Sequence, residues 1–174
     1  GLGVGWMREE FDALGVPWEK RGARNDEYIE AMRALWQGPH AEYHGNFVDF
    51  EPATCSPRPV NGSIPVIVGG DSDAAISRAV RIADGYFPGE GDITQLGALL
   101  NRVRQAAEDA GRDPASIEFS AIFGSQMANP EQGIEEMASI GVNRVMIPAF
   151  FFGGPEGLDN LDKLSERIMP VANG

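Results

Sequence analysis

The stretch Ile64-Pro65-Val66-Ile67-Val68-Gly69-Gly70-Asp71-Ser72 decides the fold class of this 174-residue chain. A short run that is apolar on both faces predicts a buried strand, and the glycine pair after it predicts a tight turn. The next residues have apolar side chains at helical spacing, which predicts a helix over residues 71–83. This stretch is therefore a strand that leads directly into a helix.

The same order recurs three more times toward the C-terminus. Strands are expected over residues 84–88, 117–123 and 145–148, and helices over residues 94–110, 130–140 and 158–171. The helix over residues 94–110 is expected to turn one set of apolar side chains inward, namely Leu96, Leu99, Leu100, Val103 and Ala107. Strands without polar alternation, each followed by a helix, are typical of a parallel sheet covered by helices. The sequence thus predicts an α/β fold.

The N-terminal third has a different organisation. Gly3-Val4-Gly5 is interpreted as the end of a strand that runs into a loop, and helices are expected over residues 8–14 and 25–36. The segment 43–50 predicts a small hairpin around Gly45-Asn46, and a proline-rich connector follows it.

The expected strands and helices correspond to about half of a barrel. Four strand–helix units and the tail of an earlier strand correspond to half of a (β/α)8 barrel, which usually needs about 250 residues. The chain is therefore predicted to be a single domain over residues 1–174. It would form the C-terminal half of a TIM barrel, from the end of strand 4 through the last helix, with the N-terminal strands absent. Such a half barrel has two open sheet edges, so alone it is expected to self-associate and to be inactive.

Composition excludes several functional classes. The net charge of −12 disfavours nucleic acid as a partner, because such binding depends on clustered cations. No apolar run approaches the roughly 18 residues that a membrane span needs. A single cysteine and the lack of a signal-peptide pattern at the N-terminus are typical of a cytoplasmic protein.

The turn at Gly69, Gly70, Asp71 and Ser72 is the main candidate for chemistry. Two glycines let the backbone approach a ligand, and the first turn of a helix offers free N–H groups to an anion such as phosphate. The alternative interpretation is a plain tight turn in which Asp71 or Ser72 caps the helix.

Other side chains have weaker sequence support for a functional role. His40 and His44 are flanked by Pro39 and Gly45 and have no evident third ligand, so no metal site is predicted. Cys55 has no recognisable base nearby and is not predicted to be a nucleophile. The run Phe150-Phe151-Phe152 after the last strand has two open interpretations: it lines a pocket, or it packs against other parts of a barrel.

The order of several short motifs resembles the luciferase-like monooxygenase superfamily, in particular its deazaflavin-dependent branch. The resemblance covers nearly the whole chain, and its motifs are specific mainly through their order and spacing. They are Gly3-Val4-Gly5-Trp6 with Glu9-Glu10-Phe11, Asp26-Glu27, Tyr43-His44-Gly45-Asn46-Phe47, Pro57-Arg58-Pro59, Ile64-Pro65-Val66-Ile67-Val68-Gly69-Gly70 and Ala83-Asp84-Gly85-Tyr86.

The resemblance implies a TIM-barrel oxidoreductase that transfers hydride or oxygen to a small organic substrate. It implies that Gly69, Gly70, Asp71 and Ser72 hold the cofactor phosphate and that Gly5 and Trp6 lie beside the cofactor ring. The segment from residue 3 to residue 10 favours coenzyme F-420, with FMN as the alternative. An acidic side chain such as Asp71 next to a phosphate would be repulsive unless it turns away or caps the helix.

The sequence leaves the catalytic residues, the oligomeric state and an alternative function open. No catalytic acid or base is assigned, because the polar groups that follow the early strands in this family have no counterpart here. A homo-oligomer is compatible with the sequence. The alternative function is a non-catalytic half barrel, a fragment or a degenerate paralogue, that binds a partner only.

Overall fold

The computed structural model describes residues 1–172 and contains two compact units. The first unit covers residues 1–68, and the second begins at residue 69. The first unit contains two helices and a two-stranded sheet: α1 (Arg8–Leu14), α2 (Arg21–Gln37), β1 (Ala41–His44) and β2 (Asp49–Ala53). Strand β3 (Ile67–Gly69) lies at the boundary between the units.

The predicted hairpin is confirmed. Strands β1 and β2 pair antiparallel, with Tyr43 opposite Phe50 and His44 opposite Asp49. The imidazole Nδ1 of His44 lies 2.6 Å from Oδ1 of Asp49, and this hydrogen bond raises the pKa of His44. The contact therefore stabilises the hairpin while His44 is protonated, and this stabilisation is lost as the pH rises through the raised pKa.

A buried carboxylate fixes the loop of this hairpin. Glu27 on α2 is only 8% exposed, and its two carboxylate oxygens accept the backbone N–H groups of Asn46 and Phe47. Gly45 must be small, because a Cβ atom there would overlap the Glu27 carboxylate. Glu30, one turn further along α2, accepts the Tyr43 hydroxyl at 2.7 Å, which raises the pKa of Tyr43 to about 12.

The expected strand end at Gly3-Val4-Gly5 is wrong. Only Leu2 pairs, through a single parallel bridge to Val68 in which the Leu2 N–H donates to the carbonyl of Ile67 at 2.8 Å. The chain leaves the extended conformation at Gly5, whose φ of +78° is in the left-handed region. A Cβ atom at Gly5 would also lie 2.5 Å from the ring of Phe11, so packing in the first unit requires glycine here.

The second unit is the predicted alternation of strands and helices. The four-stranded sheet has the order β3-β4-β5-β6, and the pairs β4–β5 and β5–β6 are parallel. Its elements after β3 are α3 (Asp73–Ile82), β4 (Gly85–Phe87), α4 (Ile93–Asp109), β5 (Glu118–Ile122), α5 (Pro130–Ser139), β6 (Arg144–Met146) and α6 (Gly157–Ala172). The α/β class with a parallel sheet is therefore confirmed.

Helical spacing correctly identified the core of this unit. All five side chains predicted to turn inward from α4 are buried, and they pack in the same core as the sheet residues Tyr86, Phe119 and Ala121. Helix α3 packs on α4, and α5 packs on α6. Arg112, which follows α4, ties the two helices of the first pair together, because its guanidinium donates to the carbonyls of Ala79, Val80 and Ala83 at the end of α3.

No helix within residues 1–172 combines the length and the apolar character needed to cross a membrane.

Because every strand pair with an assigned direction in the larger sheet is parallel, the loops that follow β4, β5 and β6 leave the sheet at one edge. This carboxyl edge is where ligands bind in barrels and open α/β sheets.

Candidate functional site

The turn between β3 and α3, residues 69–72, is called the 69–72 loop below. Helix α3 begins at Asp73, two residues later than the sequence predicted, because Ser72 is the capping residue. The Ser72 hydroxyl oxygen accepts the N–H of Ala75 at 3.2 Å. A capping side chain that accepts a first-turn N–H is the usual way to begin a helix at serine. Gly70, Asp71 and Ser72 are all exposed.

Gly70 is fixed from both sides by the segment that contains β4. Its N–H donates to the carbonyl of Phe87 at 3.3 Å, and its own carbonyl accepts the hydroxyl of Tyr86 at 2.7 Å. Tyr86 is fully buried, and burial raises the pKa of its hydroxyl, so that Tyr86 remains a neutral donor.

Glycine is needed at position 70 for its backbone conformation rather than for space. The φ of Gly70 is +113°, a region that side-chain-bearing residues rarely adopt. A Cβ atom there would lie 3.4 Å from the Cβ of Ala75, which is an ordinary contact.

The donors that the loop can offer to an anion come from the residues after Gly70. The N–H groups of Asp73 and Ala74 are in the first turn of α3, where a helix has no internal acceptor for them. The Ser72 hydroxyl accepts one bond and keeps its own proton for donation. Together with the partial positive charge at the start of α3, this donor set fits a phosphate group.

Both acidic side chains beside the loop have partners. The Asp71 carboxylate accepts the N–H of Gly89 at 2.8 Å, and the Asp73 carboxylate is paired with Arg102. These contacts account for the presence of acids next to a candidate anion site, because the charge of Asp71 is directed to the loop after β4 and that of Asp73 is paired with an arginine.

The two residues expected beside a cofactor ring, Gly5 and Trp6, belong to the first unit. Trp6 is 82% exposed, so the face of its indole ring is available for stacking. The carbonyl of Gly5 accepts Nε of Arg21 at 3.3 Å, and the Arg21 guanidinium lies 3.7 Å from the ring centre of Trp18. Gly5 therefore has a structural role in its own unit in addition to the one expected from the resemblance.

Sequence reasoning did not identify Gln126, a buried amide at the same edge of the sheet. It lies in the turn after β5, where its Oε1 accepts the Gly124 N–H at 3.1 Å and its Nε2 donates to the Gly91 carbonyl at 3.4 Å. Gly133 on α5 leaves space for it, since a Cβ there would lie 2.5 Å from the Gln126 Cβ. The available signal was its position directly after a buried strand, where polar side chains in α/β proteins are often functional.

The remaining candidates have local partners. His44 is bonded to Asp49, and the Cys55 thiol lies 3.8 Å from the Pro57 carbonyl. Within residues 1–172, no group of three His, Cys, Asp or Glu side chains is arranged to hold a metal ion. Phe150 and Phe151 lie in a one-turn 3-10 helix after β6, with ring centres 4.6 Å apart, and Phe150 is 77% exposed.

Comparisons with known proteins relate the chain to one enzyme family. The model of the luciferase-like monooxygenase family matches residues 1–165. Two uncharacterized proteins of Mycobacterium tuberculosis are similar: one is 39% identical over 151 residues and the other 40% over 172 residues. These alignments cover 84% and 97% of this chain but 50% and 57% of the relatives. The chain thus spans about half the length of these curated relatives.

A more distant relative has a named activity. The chain is 33% identical over 111 residues to an FMNH2-dependent dimethylsulfone monooxygenase of Pseudomonas putida. This alignment covers 62% of this chain and 31% of that protein.

Solved structures show the same fold. The coenzyme F420-dependent tetrahydromethanopterin reductase of Methanopyrus kandleri superposes with a TM-score of 0.72 at 17% identity, over 97% of this chain and 72% of that one. An F420-dependent secondary alcohol dehydrogenase, solved with an F420-acetone adduct, gives a TM-score of 0.73 at 15% identity, over 98% and 68% of the two chains. At these identities the likeness concerns the fold, which is that of part of a luciferase-like barrel.

Proposed function

Because the chain belongs to the luciferase-like monooxygenase family, we propose that it is the cofactor-binding part of a flavin- or deazaflavin-dependent oxidoreductase. The substrate would be a small organic molecule that accepts hydride or oxygen. The observation that carries the proposal is the 69–72 loop, which presents a hydroxyl and first-turn N–H donors directly after a parallel strand. The proposal concerns the whole protein, since the alignments cover only 50% and 57% of the relatives.

The residues of this chain would bind and orient the cofactor. Ser72 and the N–H groups at the start of α3 would hold the phosphate, while Gly69 and Gly70 would let the backbone approach it. Asp71 would belong to the same loop, and the resemblance assigns the ring to the segment at Gly5 and Trp6. When bound, the cofactor supplies the redox chemistry, and the protein determines where the cofactor lies. No acid or base is assigned to this chain.

Coenzyme F-420 is the favoured cofactor, and FMN is the alternative. The motif from residue 3 to residue 10 resembles the deazaflavin-dependent branch.

The proposal predicts that the whole protein, purified at the length of its relatives, binds coenzyme F-420 more tightly than FMN and supports its reduction or reoxidation. Spectral titration with each cofactor, followed by turnover assays with candidate alcohols and oxygen, would measure this. Tight FMN binding without deazaflavin reduction would reverse the order of the two cofactors. Binding of neither cofactor would overturn the proposed function.

A further inference from the structure

Three consecutive loops at the carboxyl edge of the sheet are joined by hydrogen bonds between side chains and backbone. The Asp71 carboxylate bonds to the Gly89 N–H, and so connects the 69–72 loop to the loop over residues 88–92. That second loop is in turn connected to the turn after β5 through the bond from Gln126 to the Gly91 carbonyl. Each connection joins residues 18 to 35 positions apart in sequence.

We propose that Asp71 is a positioning residue: its carboxylate holds the 69–72 loop in the conformation that receives a cofactor phosphate and does not itself contact the phosphate. This inference rests on the proposed function, because it assigns a role within the same cofactor site. It reverses the simple expectation for an acid beside an anion, which is that the acid weakens anion binding.

The contacts of the segment 86–89 support this role. Tyr86 and Phe87 bond to the carbonyl and the N–H of Gly70, and Gly89 bonds to the side chain of the next residue, Asp71. Three of the four residues in this segment thus make one hydrogen bond each to Gly70 or Asp71. Two of these bonds hold Gly70 at its positive φ, and the third determines the direction of the chain immediately before the Ser72 cap.

The fit between Asp71 and Gly89 is close. A Cβ atom at position 89 would lie 3.2 Å from Oδ2 of Asp71, which is tighter than an ordinary contact. The carboxylate therefore lies against a backbone that has no side chain at this point. An N–H donor compensates part of the negative charge, and the same bond directs the carboxylate oxygens toward residue 89 rather than toward the start of α3.

Two substitutions at this position separate positioning from electrostatic repulsion. Asp71→Asn removes the charge but keeps an oxygen that can accept the Gly89 N–H, whereas Asp71→Ala removes both. If Asp71 acted only through its charge, both variants would bind phosphate more tightly than the wild-type protein. If Asp71 positions the loop, Asp71→Ala would bind phosphate more weakly and Asp71→Asn would bind at least as well as the wild type.

The experiment compares each cofactor with its phosphate-free form. The cofactor that binds more tightly, coenzyme F-420 or FMN, is titrated by fluorescence. The corresponding ring compound without phosphate is titrated separately: the deazaflavin analogue of riboflavin for coenzyme F-420, or riboflavin for FMN. The ratio of the two affinities gives the contribution of the phosphate for FMN, and that of the phosphate with the group esterified to it for coenzyme F-420; this group is the same for every variant compared. Hydrogen exchange of peptides covering residues 69–75 and 86–92, without cofactor, reports the loop conformation independently of binding.

We expect Asp71→Ala to lower the ratio of cofactor affinity to the affinity for the phosphate-free form about tenfold, and to exchange faster in both peptides. For Asp71→Asn we expect this ratio to stay within about twofold of the wild-type value. Glu108→Gln, on the exposed side of α4, is the matched control for loss of one negative charge and should change neither readout. An unchanged or higher ratio in Asp71→Ala would overturn the inference while leaving the proposed function intact. A wild-type protein that does not distinguish the two forms would overturn both.

Discussion

Replacing Glu27 by alanine is expected to lower the free energy of unfolding by about 3 kcal/mol. The buried carboxylate accepts the N–H groups of Asn46 and Phe47, and both donors would lose their acceptor. Each hydrogen bond to a charged group contributes about 1.5–3 kcal/mol, and part of the loss is recovered where water reaches the loop. Chemical denaturation followed by circular dichroism would measure the change, and hydrogen exchange of residues 41–53 would locate it in the hairpin.

Glu30→Ala is the matched control for this prediction. Glu30 lies on the same helix, but it is exposed and bonds to a side chain, the hydroxyl of Tyr43. Its loss should cost less than about 1 kcal/mol, as for most exposed contacts. Equal effects of the two substitutions would show that the Glu27 carboxylate does not hold the hairpin loop. Gly45→Ala should resemble Glu27→Ala, because the added methyl group would displace the same carboxylate.

Replacing Ser72 by aspartate is expected to weaken binding of the phosphate-bearing cofactor by roughly 10- to 100-fold. Aspartate caps a helix about as well as serine, so α3 should remain intact. However, the variant loses the hydroxyl donor and places a negative charge where the phosphate would lie. Like charges about 4 Å apart repel by up to about 4 kcal/mol near a protein surface before salt screening. Calorimetric titration with the cofactor and with its phosphate-free form would measure the loss.

Ser72→Asn provides the control, since asparagine also caps well and is uncharged. It should lose only a few-fold in affinity, through the altered donor, and should melt at the same temperature as Ser72→Asp. If both variants bind the cofactor like the wild type, the phosphate does not lie at the start of α3.

Local sequence signals were sufficient for much of the fold. The inward face of α4, the hairpin around Gly45-Asn46 and the turn at Gly69-Gly70 all depend on side-chain periodicity or on turn residues within a few positions of one another. Helix α2 shows the limit of such signals. It begins at Arg21 rather than near Asn25, although Gly22 disfavours a helix, because Arg24 donates to the carbonyls of Pro17 and Glu19 and fixes the segment before it.

The candidate site shows a different limit. Sequence pattern located the 69–72 loop and left open whether Asp71 or Ser72 is the cap. Which of the two residues caps the helix depends on Gly89, which lies 18 residues from Asp71 and binds its carboxylate. Gly89 is placed there by the pairing of β4 with its neighbouring strands. The buried amide of Gln126 depends in the same way on Gly91 and Gly133. Contacts between consecutive loops of a parallel sheet are set by the tertiary fold, and no local spacing encodes them.

The most direct test of the proposed site is a crystal structure of the protein with bound coenzyme F-420 or FMN. The phosphate oxygens are expected within hydrogen-bonding distance of the Ser72 hydroxyl and of the N–H groups of Asp73 and Ala74, with the Asp71 carboxylate still bonded to Gly89. A phosphate bound elsewhere, with the start of α3 facing solvent, would contradict the assignment of the cofactor site.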